Sequence, residues 1–124
     1  AGILAVRPEV LVLDEPTAGL DPRGRRRLIG LFKDLQRRQG KTIILITHQM
    51  DVAAELADRV IVLCQGRIFR QGSPREVFAD AGALQEIGLK PPLPVELLSR
   101  LGIPEVALTL TEAEMKIKKR RPNF

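Results

Sequence analysis

Residues 10–16 read Val-Leu-Val-Leu-Asp-Glu-Pro. Four consecutive apolar residues predict a strand that is buried on both faces of a parallel sheet. The carboxylates of Asp14 and Glu15 end this run, and Pro16 stops it. Ligands bind beyond the carboxyl ends of strands in open α/β sheets. The two adjacent carboxylates therefore indicate a cation or proton-transfer site, or else a turn that simply faces solvent.

The chain then alternates between predicted helix and strand. Asp21 followed by Pro22 is typical of a helix start, and Gly40 is typical of a helix end. Residues 42–46 predict a second buried strand, and residues 51–57 predict another helix. The first helix carries apolar residues at helical spacing, namely Leu28, Leu31, Phe32 and Leu35. This order predicts an α/β fold with a parallel sheet covered by helices.

The pattern changes after residue 59. Residues 60–63 and 67–70 flank Gln65-Gly66 and predict an antiparallel hairpin. Ser73 with Glu76 forms a capping box that opens a short helix. Short helical pieces broken by Gly and Pro follow from about residue 80. Thr111 with Glu114 predicts the start of a last helix that runs into a basic tail.

Composition limits the class of protein. The formal net charge is +5, and residues 116–121 alone carry five positive charges. Such a tail is a solvated end, or a contact for anionic lipid or a partner. Nucleic acid is not an expected partner, because the chain has only four aromatic residues for base stacking. A single cysteine excludes internal disulfides and fits a reducing compartment.

One motif is misleading. Residues 40–42, Gly-Lys-Thr, look like the end of a phosphate-binding loop, but the first glycine of such a loop would fall on Leu35. A phosphate-binding loop also follows a strand and opens a helix, whereas these residues follow a predicted helix and open a strand. We interpret them as a helix end and a strand entry.

Several motifs in the right order resemble the ATP-binding cassette (ABC) ATPases. Residues 11–16 are similar to the Walker B strand with the catalytic Glu, residues 18–21 to the D-loop, and Thr47-His48 to the switch histidine. Residues 1–5 with Pro8 resemble the end of the helix after the family's signature loop. The resemblance covers residues 1–79. It implies the C-terminal half of a P-loop NTPase with a closing β-hairpin, followed by a small helical extension.

The resemblance implies a role for each matching residue. Asp14 would hold Mg²⁺ through water, and Glu15 would polarise the water that attacks the γ-phosphate of ATP. His48 would contact and sense that phosphate. Gly19 and Asp21, in the D-loop, would lie beside the nucleotide at the interface with a second ATPase subunit. ATP and Mg²⁺ are therefore the expected cofactors.

The 124 residues contain no Walker A loop, Q-loop or signature loop, which lie upstream in this family. We therefore expect the chain to be a C-terminal fragment that is inactive alone. Its expected parts are residues 1–79 from the nucleotide-binding domain, residues 80–115 as a helical extension, and residues 116–124 as the basic tail. Residues 83–101 are similar to the extension of energy-coupling factor ATPases, which drive uptake of cobalt, nickel or vitamins and in which the extension helps join the two ATPase subunits.

The implied protein is the ATPase of an importer on the cytoplasmic face of the cell membrane. Its partners would be a second ABC ATPase subunit, identical or paralogous, and transmembrane transporter subunits. Two alternatives stay open at this point. One is the ATPase of another ABC importer, and the other is a truncated, non-hydrolysing half-domain that only binds a partner.

Overall fold

The computed structural model describes residues 9–120. The predicted helix end at residues 1–6, the match at residues 1–5 and Pro8, and the last residues of the basic tail, 121–124, lie outside this range. The described chain divides into two compact units, one ending at His48 and the other beginning at Gln49.

The first unit contains a strand, a helix and a second strand. Strand β1 spans Val10–Asp14, helix α1 spans Pro22–Arg37, and strand β2 spans Thr42–Ile46. The strands pair in parallel, with Val10 opposite Thr42 and Asp14 opposite Ile46. The predicted parallel pair and its connecting helix are confirmed.

Helix α1 begins and ends as the sequence predicts. The Asp21 side chain accepts a hydrogen bond of 2.8 Å from the Gly24 amide at the N-terminus. At the other end, Gly40 has φ of 62°, and the Lys41 amide donates to the Leu35 carbonyl. A left-handed glycine after the last turn is a common helix end. This confirms that residues 40–42 close a helix and do not form a phosphate-binding loop.

The expected burial of the strands is wrong in one respect. Leu11 is buried, but alternate residues of both strands leave apolar side chains 50% or more exposed: Val10, Val12, Ile44 and Ile46. Strand side chains alternate between faces, so these residues form one open face of the β1–β2 pair. The prediction of burial on both faces assumed a covering layer that residues 9–120 do not supply.

The buried face of α1 also differs in detail from the predicted one. Ile29, Phe32 and Leu35 are buried, whereas Leu31 is 38% exposed. Ile29, Phe32 and Leu35 also follow helical spacing, and that stripe is rotated from the one through Leu28 and Leu31.

The second unit opens with a helix and a hairpin. Helix α2 spans Met50–Leu56, and strands β3 (Val60–Cys64) and β4 (Arg67–Gly72) pair antiparallel. Gln65 and Gly66 have φ of 50° and 75°, the left-handed pair required by a tight hairpin turn. The predicted hairpin is confirmed.

Four helices follow: α3 (Pro74–Phe78), α4 (Ala81–Glu86), α5 (Leu93–Arg100) and α6 (Leu110–Arg120). Ser73 caps α3 through a 3.2 Å bond from the Glu76 amide, as predicted. At α6, however, the prediction is wrong by two residues, because Thr109 rather than Thr111 caps the helix, through the Glu112 amide. Both pairs match the same capping pattern, and Thr111 lies inside the first turn.

One core joins both sides of the predicted boundary at residue 79. Val62 and Phe78 precede that boundary, Leu84 and Val95 follow it, and all four are buried in the same cluster. A second cluster in this unit is centred on Leu98. The helical extension therefore packs on the hairpin and its neighbours, and the domain limits themselves stay a prediction.

An ion pair links α3 to α6. Arg75 contacts the Glu112 carboxylate at 2.6 Å, and the Leu108 amide donates to the other carboxylate oxygen at 3.1 Å. The guanidinium of Arg75 holds the pKa of Glu112 below its ordinary range. Glu112 thus joins the start of the last helix to the helix that follows the hairpin.

We expect Glu112→Gln to lower the free energy of unfolding by roughly 1–2 kcal/mol at neutral pH, because it removes a charged hydrogen-bond partner. A depressed folded-state pKa contributes stability above the unfolded value, near pH 4, and that stability is lost as the pH falls further. Thermal unfolding measured from pH 7 to 3 should show a difference in melting temperature between the wild type and Glu112→Gln, and this difference should become smaller in acid. Glu86→Gln, which removes an exposed carboxylate, is the control. A difference in melting temperature that does not change with pH would contradict the ion pair between Arg75 and an ionised Glu112.

Candidate functional site

The carboxyl ends of β1 and β2 lie side by side. Asp14 is opposite Ile46 in the parallel register, and the Glu15 amide donates a 2.8 Å hydrogen bond to the Ile46 carbonyl. Glu15, just beyond β1, is thereby held next to Thr47 and His48, just beyond β2. The topology alone brings these residues together, although 32 positions separate Glu15 from Thr47.

Glu15 has an unusual backbone conformation. Its φ is 46°, in the left-handed region that residues other than glycine seldom adopt. The Glu15 carbonyl accepts a hydrogen bond of 3.2 Å from the Ala18 amide, which starts the turn into the next loop. Strain of this kind concentrates at functional sites, where neighbouring contacts maintain it.

Both carboxylate oxygens of Glu15 are engaged from the β2 side. Oε2 accepts a 3.0 Å hydrogen bond from the Thr47 hydroxyl. Oε1 accepts a 2.8 Å bond from the His48 amide and lies 2.5 Å from the His48 ring nitrogen Nδ1. The Glu15 side chain is 29% exposed and the His48 side chain 76% exposed. The pair is therefore anchored by the protein on one side and open to a ligand on the other.

The charges of this cluster follow from its contacts. Hydrogen bonding from the His48 ring is the largest influence that keeps the pKa of Glu15 below its ordinary value, and the His48 amide and Thr47 hydroxyl act in the same direction. Glu15 is thus an ionised acceptor at neutral pH. Because an ionised carboxylate cannot donate, the hydrogen between it and Nδ1 belongs to His48. The other ring nitrogen, Nε2, is left for a ligand.

Asp14 lies on a different side of the strand end. Strand alternation places it on the open face with Val10 and Val12, and it is exposed. The two adjacent carboxylates therefore point to different sides, and Glu15 alone joins the cluster with His48. Within residues 9–120, no group of three or more His, Cys, Asp or Glu side chains is arranged to hold a metal ion.

Gly19 and Asp21 lie in the loop between β1 and α1. Gly19 has φ of 76°, and an added Cβ would meet nothing within 4 Å. A glycine at this position therefore suits the left-handed backbone conformation, and lack of space for a side chain is not the reason for it. The Asp21 carboxylate caps α1 through Gly24. This gives Asp21 a structural contact that is separate from the Glu15–His48 pair.

The sequence motifs assigned no separate role to Thr47. The available signal was its position, since a hydroxyl residue directly after β2 must lie beside the residue directly after β1 when the strands are parallel.

No helix within residues 9–120 is long and apolar enough to cross a membrane.

Comparison with known proteins gives the family. A family model described as "AAA domain, putative AbiEii toxin, Type IV TA system" matches residues 1–54. The energy-coupling factor transporter ATP-binding protein EcfA2 of Latilactobacillus sakei is 48% identical over 98% of this chain. The EcfA2 protein of Geobacillus kaustophilus is 46% identical over 95% of this chain. The chain spans 44% and 43% of these relatives' lengths, respectively.

A solved structure agrees with the sequence relatives. CbiO1 from Clostridium perfringens, part of the ABC transporter complex cbiONQ, is 41% identical with a TM-score of 0.59. The match covers 79% of this chain and 39% of the CbiO1 chain. The open α/β arrangement, the order of motifs and these similarities agree on one assignment: the chain belongs to the ATP-binding cassette ATPases and is similar to the ATP-binding proteins of energy-coupling factor transporters.

Proposed function

We propose that the whole protein is the ATP-binding subunit of an energy-coupling factor importer, which couples ATP hydrolysis to uptake of a metal ion or vitamin. The observation that carries the ATPase assignment is the cluster of Glu15, Thr47 and His48 at the ends of two adjacent parallel strands. Energy-coupling factor naming among the relatives supports the transport role.

The proposed reaction is hydrolysis of the terminal phosphate bond of ATP. The oxygen of a water molecule forms a bond to the γ-phosphorus, and the bond to the bridging oxygen breaks, so ADP leaves with that electron pair. Glu15 accepts the proton that the water loses. The products are ADP, inorganic phosphate and a proton. His48 contacts the γ-phosphate through Nε2, because Nδ1 is occupied by Glu15.

Asp14 is the proposed magnesium ligand. Mg²⁺ in phosphate-transfer sites is usually held by one or two carboxylates together with phosphates and several waters. A single exposed carboxylate beside the proposed base suits this donor set, and a larger cluster is not needed. When bound, the ion neutralises charge on the phosphates. Asp14 would hold it through water.

A second ABC ATPase subunit, identical or paralogous, is the proposed partner at Gly19 and Asp21. The left-handed Gly19 and the cap formed by Asp21 fix the path of this loop. Their proposed role is to present the loop beside nucleotide at the subunit interface. Neither needs a catalytic side-chain contact for that role.

The proposed division of the chain is residues 1–79 from the nucleotide-binding domain, 80–115 as the extension and 116–124 as the basic tail. Three basic residues of the tail are paired locally: Lys116 and Arg120 with Glu105, and Lys118 with Glu114. Because these pairs are on the surface, the proposed role of the tail is still a solvated end or a contact for anionic lipid or a partner. We place the protein peripherally on the cytoplasmic face of the membrane, through transmembrane partner subunits.

Transport by the assembled complex tests this function. The full-length protein would be reconstituted in vesicles with its membrane subunits and supplied with labelled cobalt, nickel or vitamin. We expect uptake that requires both ATP and Mg²⁺, with phosphate released. An assembled complex that releases no phosphate would support the non-hydrolysing, partner-binding alternative instead. ATP hydrolysis coupled to a different solute would retain the ATPase and correct the importer class.

A further inference from the structure

The Thr47 hydroxyl donates a hydrogen bond to Glu15 that neither the proposed reaction nor the strand pairing requires. From this contact we propose that Thr47 is a positioning residue, which fixes the Glu15 carboxylate so that Oε2 receives the proton of the attacking water. The proposal rests on the ATPase function proposed above and adds a residue to that site.

Of the two Glu15 carboxylate oxygens, only Oε2 keeps an unoccupied hydrogen-bond acceptor site. An ionised carboxylate has about four lone-pair sites, two on each oxygen. The His48 amide and the His48 ring both approach Oε1, whereas Thr47 approaches Oε2. These contacts fill the two sites of Oε1 and leave one on Oε2. The oxygen held by Thr47 is therefore the one able to accept a further proton.

Two hydrogen bonds, one to each oxygen, fix the orientation of a carboxylate, whereas a single hydrogen bond does not. The last torsion of a Glu side chain is broad and roughly two-fold, so a group held by one oxygen can still turn. The Thr47 hydroxyl and the His48 amide hold the two oxygens separately, at 3.0 and 2.8 Å. Both donors directly follow β2, which is paired with β1 as far as Ile46. This arrangement fixes the plane of the carboxylate relative to both strands.

These two anchors do not depend on the imidazole. The His48 ring is 76% exposed and is the part of the cluster most open to a phosphate. When the ring contacts a phosphate, the Thr47 hydroxyl and the His48 amide still hold Glu15. Thr47 thereby separates the positioning of the base from the sensing of the nucleotide.

The test is Thr47→Val in the full-length protein, with Thr47→Ser as its matched control. Valine has the shape of threonine and is well suited to a strand end, but it has no hydroxyl, whereas serine retains the hydroxyl. We expect Thr47→Val to lower kcat about tenfold, the effect of a small loss of alignment on the barrier. KM for ATP should stay within about twofold, as for a group that acts only in the transition state. Thr47→Ser should retain most of the wild-type kcat.

A second background separates this proposal from the proposed function. In a Glu15→Gln background, Thr47→Val should slow single-turnover hydrolysis no further, because its effect acts through the carboxylate. If the wild-type protein itself releases no phosphate from ATP, the proposed function is wrong; if Glu15→Gln hydrolyses ATP at the wild-type rate, Glu15 is not the base and the Thr47 proposal fails with it. If Glu15→Gln is inactive but Thr47→Val has the wild-type kcat, the Thr47 proposal alone is overturned. Equal losses in the Val and Ser variants, with lower melting temperatures, would also overturn it.

Discussion

Glu15→Gln in the full-length protein should bind ATP as tightly as wild type and hydrolyse it about 10²–10⁴-fold more slowly, the usual range for loss of a general base. Glutamine has nearly the shape of glutamate but cannot take a proton from water at neutral pH. Its side-chain oxygen can still accept a hydrogen bond from the His48 amide or Thr47, which are the neighbours of Glu15 here. The loss should therefore fall on kcat.

Phosphate release and equilibrium nucleotide binding, measured on the same preparation, check this result. Glu9→Gln is a suitable control because Glu9 is an exposed carboxylate just before β1 in the same unit. It should hydrolyse ATP at the wild-type rate. Unchanged turnover in Glu15→Gln would remove Glu15 from the reaction, and weak ATP binding by that variant would show that Glu15 holds the nucleotide instead.

His48→Ala should lower kcat by about 10²-fold while ATP binding is largely retained. The imidazole is the only part of the Glu15 cluster that this substitution removes, because the main-chain amide of residue 48 still donates to Oε1. Thr47 still donates to Oε2. Glu15 should thus stay close to its present position, and the loss reports on the ring.

A His48→Gln variant extends the test, because its amide group can donate a hydrogen bond toward a phosphate but cannot carry the charge of an imidazolium. Partial recovery of kcat in this variant would indicate that His48 acts mainly as a hydrogen-bond donor. A fully active His48→Ala protein would contradict the proposed sensing role. A variant with a much lower melting temperature would need its rate measured well below that temperature.

Local patterns predicted much of the fold. Asp21-Pro22 determined the start of α1, and the apolar runs predicted β1 and β2 with their limits nearly correct. The hairpin followed from Gln65-Gly66, whose left-handed backbone suits the turn. These features depend on a few neighbouring residues, so the sequence contains the necessary information.

Two kinds of feature were not predicted: those for which the local sequence offers two equal choices, and those that depend on distant residues. The capping pattern occurs at both Thr109 and Thr111, and local sequence cannot choose between them. The ion pair between Arg75 and Glu112 joins residues 37 positions apart. The open face of β1 and β2 depends on which layers cover the sheet, and an apolar run gives no information on that.

The candidate site was predictable in its residues and not in its contacts. Asp14, Glu15 and His48 follow from motifs at strand ends, but their division into an exposed carboxylate on one face and a Glu15–His48 pair requires three-dimensional placement. Thr47 became visible only because the parallel register brings its hydroxyl to Oε2. The motifs predict which residue types form the site, whereas the tertiary contacts determine where their side chains lie relative to one another.

In the proposed site, Asp14, Glu15 and His48 act together on the γ-phosphate of ATP. The most direct measurement is a crystal structure of the full-length Glu15→Gln protein with ATP and Mg²⁺. We expect Mg²⁺ linked to Asp14 through water, the His48 ring at the γ-phosphate, and a water within about 3 Å of the residue 15 side chain. ATP bound with its γ-phosphate remote from these three residues would contradict their proposed roles.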